Sequence, residues 1–285
     1  MKTVVVIGGC GFVGSNLVQY LINKNYTVIV IDNEYSGVRK FKQVLYIRDN
    51  SINISSILKK LKIHTIFHFG EFSRINQSFY KTEDCLDFNI KGTLEVVKYC
   101  SKNNIKLVYS ASSSTFNNKE NLSPYAYSKF HNVNLIKNYY QWFNLKYEIV
   151  YFFNVYGPGQ IGIGNMATVV GIFEDQYRNN KPLTVVKPGT QRRNFTHIDD
   201  IVNGIYKAWK KNLNKEYMLG NEKSYSVIEV AKMFNHRVKF IKEQKGERFK
   251  SVKIDNKNNK LLNFKAKINL KDYIKTLEHK VNIIV

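Results

Sequence analysis

The sequence predicts a doubly wound α/β fold, in which a parallel sheet carries helices on both faces. Three observations support it. Thr3-Val4-Val5-Val6-Ile7 is an unbroken β-branched run, the composition of a strand buried on both faces. Gly8-Gly9-Cys10-Gly11-Phe12-Val13-Gly14 follows at once and opens into a helical pattern from Ser15 to Asn23. Beyond it, short apolar runs and helical stretches alternate along most of the chain. At 285 residues the chain can bury one large core and a smaller one beside it.

Glycines between a strand and a helix allow a tight turn, close approach of the backbone to a pyrophosphate and close helix–strand packing. The helix N-terminus adds unpaired N–H groups and a positive dipole end. The second strand, Thr27 to Ile31, ends in Asp32. A carboxylate there accepts hydrogen bonds from the adenosine ribose and repels a 2′-phosphate, which favours NAD, although nearby Arg39 leaves NADP open. A third strand, Val44 to Ile47, leads to Asp49-Asn50 and a helix to about Leu61. Asp49 reads equally as an adenine contact or as the helix cap. The fourth strand, His64 to Phe69, opens into Gly70-Glu71, where glycine lets a cofactor pass close by; His68 reads as a packed strand residue. A helix from about Cys85 to Lys102 carries Asn89. A fifth strand, Lys106 to Tyr109, opens into Ser110-Ala111-Ser112-Ser113-Ser114-Thr115. Ligands of doubly wound sheets bind at the carboxyl ends of the strands, and the glycine loop, Asp32 and the serine run all fall on that edge.

Ser123-Pro124-Tyr125-Ala126-Tyr127-Ser128-Lys129 reads as a helix start, with Ser123 as N-cap and Pro124 at the first helical position. Tyr125 and Lys129 then share one helical face. A fixed ammonium beside a phenol favours the phenolate, which makes such a pair a base near neutral pH. This helix runs to about Trp142, and a sixth strand follows from Tyr147 to Phe153.

From Gly159 to Gly164 a glycine-rich connection marks a change of composition. Residues 1–158, with a returning segment at about 190–212, are expected to form the dinucleotide-binding domain. Residues 159–189 and 213–285 are expected to form a smaller lobe. It begins with a helix from Ala167 to Asn179 and a strand from Leu183 to Val186. Arg192 and Arg193 offer fork-shaped donors to a diphosphate, and a helix from Ile201 to Lys210 returns to the sheet.

The net charge of +22 comes from lysines spread along the whole chain. A general lysine bias explains it first and attraction of a diphosphate second. No nucleic-acid-binding module accompanies it, so no specific nucleic-acid partner is expected. Cys10, Cys85 and Cys100 are too few and too scattered for a disulfide framework or a metal cluster, and no metal is expected. With no apolar run of membrane-span length and no signal-peptide pattern, the expected setting is cytoplasmic, with no membrane partner.

Taken together, these segments resemble the extended short-chain dehydrogenase/reductases, in particular the NAD-dependent nucleotide-sugar epimerase/dehydratase family. The resemblance rests on Gly8 to Gly14, Asp32, Ser110 to Ser114, Tyr125 with Lys129, Phe153-Asn154-Val155-Tyr156-Gly157-Pro158 and Arg193-Asn194-Phe195-Thr196-His197-Ile198-Asp199-Asp200, and spans nearly the whole chain. It implies a Rossmann sheet with a smaller C-terminal substrate-binding lobe. It implies Tyr125 as general base and acid, with Lys129 on the nicotinamide ribose lowering the Tyr125 pKa, and Ser112 on the reacting sugar hydroxyl. The implied NAD contacts are Gly8, Gly11, Phe12, Val13, Gly14, Asp32, Asn33, Asp49, Asn50, Phe69, Gly70, Glu71, Ser110, Tyr125, Lys129, Phe152 and Val155. The implied substrate contacts are Ser112, Ser113, Tyr125 and Asn154, with Arg193 and Arg248 on the diphosphate. Asp200 has a structural role by the same resemblance.

The chain also departs from the family. Only twelve residues separate Ser112 from Tyr125, which implies a more open site; Tyr151 stands where an arginine is common and Asn194 where an aspartate is common. Dehydratases of the family carry an Asp-Glu pair where this chain has Ser113 and Ser114. Epimerase–reductases carry a cysteine nearby, whereas Cys85 and Cys100 are expected on a helix on the wrong side of the fifth strand. What remains is 4-epimerisation of a nucleotide-diphosphate sugar, a UDP-sugar in particular, through a 4-keto intermediate. A 4-keto reductase or 4-dehydrogenase using NAD(P) is the alternative, and a non-catalytic nucleotide-binding regulator the alternative of another class. The resemblance further implies a homodimer formed by the helices carrying Asn89 and Tyr125, and a role in glycan or polysaccharide precursor supply.

Overall fold

The apolar runs of the first half become strands separated by helices: β1 (Thr3–Ile7), α1 (Phe12–Asn23), β2 (Thr27–Asp32), β3 (Leu45–Arg48), α2 (Ile54–Ile57), β4 (Thr65–His68), α3 (Ile75–Ser78), α4 (Thr82–Leu86), α5 (Gly92–Lys102), β5 (Lys106–Ser112), α6 (Pro124–Phe143) and β6 (Tyr147–Phe152). The second half holds β7 (Val155–Tyr156), α7 (Val169–Arg178), β8 (Leu183–Val186), β9 (Arg192–Asn194), β10 (Thr196–His197), α8 (Ile198–Lys211), β11 (Glu216–Leu219), β12 (Ser224–Ser226), α9 (Val227–Met233), β13 (Val238–Ile241) and α10 (Leu270–Val281). The computed structural model describes residues 2–37, 39–116, 120–243 and 249–281.

Seven strands form one parallel sheet in the order β11-β6-β5-β4-β1-β2-β3. This is the doubly wound arrangement expected, with the order reversing between β1 and β4, where a crevice opens at the strand ends. Alternation along β1 explains both faces. Val4 and Val6 pack with Val28, Val30, Leu17 and Leu21 of α1, and Ile201 and Ile205 of α8. Val5 and Ile7 pack with Ile29, Ile31, Ile66, Val96 and Val97 of α5, and Val133 and Ile136 of α6. A further cluster lies in the second half, around Tyr156, Val170, Phe173, Leu183, Val185, Val230, Phe234 and Ile274. No helix among the described residues is long and apolar enough to cross a membrane.

Several elements differ from the sequence reading. The helix after Asp49-Asn50 ends at Ile57 rather than about Leu61, since an Ile-Ser-Ser-Ile core has little helix propensity. The single helix expected from Cys85 is interrupted by a π-type turn, Asp87–Lys91, between α4 and α5. The wider turn carries Asn89, which is buried. β5 extends to Ser112 because Ser110, Ala111 and Ser112 pair with Val150, Tyr151 and Phe152. Glu216–Leu219, expected in the smaller lobe, pairs with Ile149–Phe152 and is the edge strand of the main sheet.

Candidate active site

The glycine loop packs β1 against β4 at the crevice. Gly8 has φ +80°, and a Cβ on it would lie 2.5 Å from Gly70 N; a Cβ on Gly14 would lie 2.0 Å from Gly8 O. Neither position accepts a side chain. Gly11 caps α1 with no side-chain hydrogen bond, so the first N–H groups of that helix face the crevice uncapped. Asp32 is held by two main-chain donors, Cys10 N to Oδ2 at 2.8 Å and Glu34 N to Oδ1 at 2.7 Å. Burial pushes its pKa up, and those two N–H groups act against the rise. Each oxygen keeps a lone pair for a ribose hydroxyl. Arg39 lies over the Phe41 ring at 5.2 Å and makes no ion pair with Asp32. For Asp49 the structure favours a local role: Oδ1 accepts from Asn50 N at 2.6 Å and Asn53 Nδ2 at 2.8 Å, while Asn50 caps the following turn. A glycine cradle, an uncapped helix end and a carboxylate at the end of β2 are together the donor and acceptor set that a dinucleotide requires.

One cleft of about 550 Å³ gathers the sequence-predicted residues. Gly8, Gly11, Phe12, Val13, Gly14, Asp32, Asn33, Asp49, Asn50, Phe69, Gly70, Glu71, Ser110, Ser112, Ser113, Tyr125, Lys129, Phe152, Asn154, Val155 and Arg193 all line it. Arg248 lies outside the described residues.

α6 delivers the Tyr125–Lys129 pair as its sequence requires. Ser123 Oγ accepts from Ala126 N at 3.1 Å and Pro124 is at the helix start. Tyr125 is nine-tenths buried, and its hydroxyl has no hydrogen-bond partner among the described residues. Lys129 donates to Glu71 Oε2 and to Ser110 O at 2.7 Å, which leaves one N–H pointing to neither. Glu71 lines the cleft, and its carboxylate, 1% exposed, is turned inward to Lys129. Its Oε1 accepts from Tyr109 Oη at 3.0 Å, Asn132 Nδ2 at 2.9 Å and Thr93 Oγ1 at 3.2 Å. Thr93 Oγ1 also lies 2.9 Å from His68 Nε2. His68 is thus the packed strand residue expected, and burial pushes its pKa down to about 4.

Ser112 Oγ accepts from Ser114 N at 3.2 Å and Ser114 Oγ at 2.9 Å. Its own proton therefore remains to be donated into the cleft. Tyr151 is buried against Phe116, with ring centroids 4.8 Å apart, and its hydroxyl donates to Glu216 at 3.4 Å, so it contributes no charge to the cleft. Asn194 Nδ2 donates to Asn221 O at 3.0 Å, and Asp200 accepts from Lys267 N and Ile268 N, both at 2.9 Å. Cys85 is on α4, not on the helix of Cys100, and packs with Phe72 and Tyr125. Burial pushes its thiol up to about 11, so proximity does not make it a base at neutral pH.

Sequence reasoning missed the inner support of the lysine. Asn89 holds Phe72 through both backbone groups, at 2.7 and 3.2 Å, and donates to Ser128 Oγ at 2.8 Å. An asparagine and a threonine inside helical patterns are the only hints, since both side chains disfavour helix interiors. Arg74 was missed as well. It reaches from the start of α3 to the segment before α7, with Nε donating to Met166 O at 3.0 Å and Nη2 to the same oxygen.

The fold and the cleft define a dinucleotide-dependent α/β enzyme. Residues 4–220 match the model of the NAD dependent epimerase/dehydratase family, and the chain belongs to that family. It is 28% identical over 255 residues to an ADP-L-glycero-D-manno-heptose-6-epimerase of Brachyspira hyodysenteriae, covering 80% of this chain and 79% of that protein. It is 26% identical over 264 residues to a UDP-glucose 4-epimerase of Lactobacillus helveticus, covering 80% of this chain and 79% of the relative. The fold superposes on a UDP-glucose 4-epimerase of Thermotoga maritima solved with UDP-glucose, with TM-score 0.91, 23% identity and full coverage of both chains.

Proposed function

We propose that the protein is a nucleotide-sugar 4-epimerase acting on a UDP-sugar with bound NAD. The observation that supports this reading is the Tyr125 hydroxyl, which has no hydrogen-bond partner among the described residues and lines the same cleft as the glycine loop and Asp32. Ser113 and Ser114 stand where elimination of water would need an acid and a base. Bound NAD supplies the hydride acceptor and donor. Tyr125 removes the proton of the C4 hydroxyl and returns it after the 4-keto sugar has turned over in the cleft. Lys129, its ammonium fixed by Glu71 and Ser110 O, directs its remaining N–H to the nicotinamide ribose. Ser112 donates to the C4 oxygen, and Asn154 and Arg193 hold the sugar nucleotide. Gly8, Gly11 and Gly14 admit the pyrophosphate, and Asp32 the adenosine ribose. The substrate lobe is formed by residues 159–189 and the C-terminal part of the chain after β11. The exposed Tyr127 and Phe130 on α6 suit a homodimer through that helix.

The test is NMR of purified protein with UDP-glucose, UDP-N-acetylglucosamine and their C4 epimers. Interconversion of either pair without net NADH is expected. Net NADH formation or consumption would favour a dehydrogenase or reductase instead.

A further inference from the structure

Arg74 is a cation in search of a counter-charge. Its guanidinium lines the same cleft as Tyr125 and is half-buried there. Every acceptor it reaches among the described residues is a neutral carbonyl: Met166 O from Nε and Nη2, and Ser73 O from Nη1 at 3.0 Å. It forms no ion pair with a described residue, and one Nη1–H and one Nη2–H remain. A guanidinium taken out of water is costly unless an anion meets it.

The acids along the cleft do not supply that anion. The carboxylates lining it are Asp32, Asp49 and Glu71. Asp32 and Asp49 stand at the ends of β2 and β3, on the adenosine side of the crevice, and Glu71 is committed to Lys129. Burial lowers the Arg74 pKa, and Tyr125 is the ionisable neighbour that acts against this. Arg74 stands between Phe72 and Ile75, which both pack with Tyr125, and at the start of α3, whose Ser78 Oγ accepts from Tyr125 N at 3.3 Å; it therefore lies at the Tyr125 end of the cleft, where the proposed mechanism holds the reacting sugar carbon.

Sugar geometry then selects the group. With C4 at Tyr125, the exocyclic groups two bonds away are the C3 hydroxyl and the substituent on C5, and of the two only the C5 substituent can be an anion, as the carboxylate of a uronic acid. The diphosphate on C1 leaves from the opposite side of the pyranose ring. A carboxylate as that C5 substituent presents two oxygens in a plane, the complement of the guanidinium fork. We propose that Arg74 reads the C6 carboxylate of a hexuronic acid, so that the preferred substrate is a nucleotide-diphosphate uronate rather than a neutral hexose. This rests on the 4-epimerase reading above for the position of C4.

The test is calorimetric binding of UDP-glucuronate, UDP-glucose and UDP to the NAD-loaded protein and its Arg74→Met and Arg74→Lys variants, with thermal melting as a check of folding. UDP-glucuronate is expected to bind the native protein about ten- to a hundredfold more tightly than UDP-glucose, the range of a charged hydrogen-bonded contact. Arg74→Met should bring that ratio close to one, and Arg74→Lys should leave it in between, because it keeps the charge and loses the fork. If Arg74→Met does not fold, the native preference and the lysine variant still decide. A native protein that does not prefer the uronate overturns the proposal. So does an Arg74→Met variant that weakens UDP by the same factor, since the anion read is then the diphosphate. If none of the three ligands binds, the nucleotide-sugar reading falls with it; if all bind without discrimination, only the uronate preference falls.

Discussion

The ammonium of Lys129, one turn below Tyr125, is paired with the Glu71 carboxylate inside the protein. The two side chains are 5% and 1% exposed, so water does not screen the pair. Three further donors, from Tyr109, Asn132 and Thr93, satisfy the other carboxylate oxygen. A buried pair so fully hydrogen-bonded fixes the lysine's position and leaves one N–H for a ligand.

Removing one partner of such a pair strands the other charge, at a cost of about 3–5 kcal/mol. Glu71→Ala should therefore lower the melting temperature by about 5 °C or more. Glu71→Gln, which keeps an acceptor for Tyr109, should lose less. Scanning calorimetry of both variants checks this, and native-like melting of the alanine variant would show that the pair contributes nothing to folding.

Tyr125→Phe removes one oxygen and leaves the ring packed on Phe72 and Cys85. Turnover should fall by a factor of roughly 10² to 10⁴, the range for loss of a general acid–base group. NAD should remain bound, because the glycine loop, Asp32 and Lys129 are untouched. A near-native rate would remove Tyr125 from its assigned role.

The parts of this site that were legible in the sequence are those set by local rules. Gly8 to Gly14 can be read because a strand, a left-handed glycine and a helix start follow one another within a few residues. Ser123, Pro124, Tyr125 and Lys129 can be read because capping and the helical period are local too. Glu71 was located but its direction was not. Whether a carboxylate after β4 faces the cofactor or the interior depends on Thr93, Tyr109 and Asn132, which arrive from three other elements. The π-type turn at Asp87–Lys91 is equally silent, since nothing in Asp-Phe-Asn-Ile-Lys distinguishes it from an α-helical turn. Arg74 has no local pattern at all, and its meaning comes from its contact with Met166, 92 residues further along the chain. The edge strand Glu216–Leu219 was misassigned because four residues carry no mark of the sheet they will join.

Asp32 is held by Cys10 N and Glu34 N, and in the proposed cofactor site its charge faces the adenosine ribose, where a 2′-phosphate would come. Asp32→Ala should narrow the preference for NAD over NADP by about tenfold or more, since the repulsion and the ribose hydrogen bonds go together. Titrating each cofactor into the variant by fluorescence measures the ratio. Unchanged selectivity would mean that the carboxylate does not meet the ribose.

His68 gives the fold a dependence on pH. Burial is the main cause of its low pKa of about 4, with Lys129 acting in the same direction and Glu71 opposing both. An unfolded chain carries an ordinary histidine near 6.5, so between pH 6.5 and 4 the unfolded state binds the extra proton. Stability from this group is therefore fully present above about pH 6.5 and is lost as pH falls towards 4, by roughly 3 kcal/mol. His68→Gln removes the titration, and its melting temperature should fall less steeply over that window than that of the native protein. Carboxylates common to both proteins contribute equally and cancel in the difference. Parallel melting curves for the two proteins from pH 7 to 4 would show that His68 charges in the folded state without penalty.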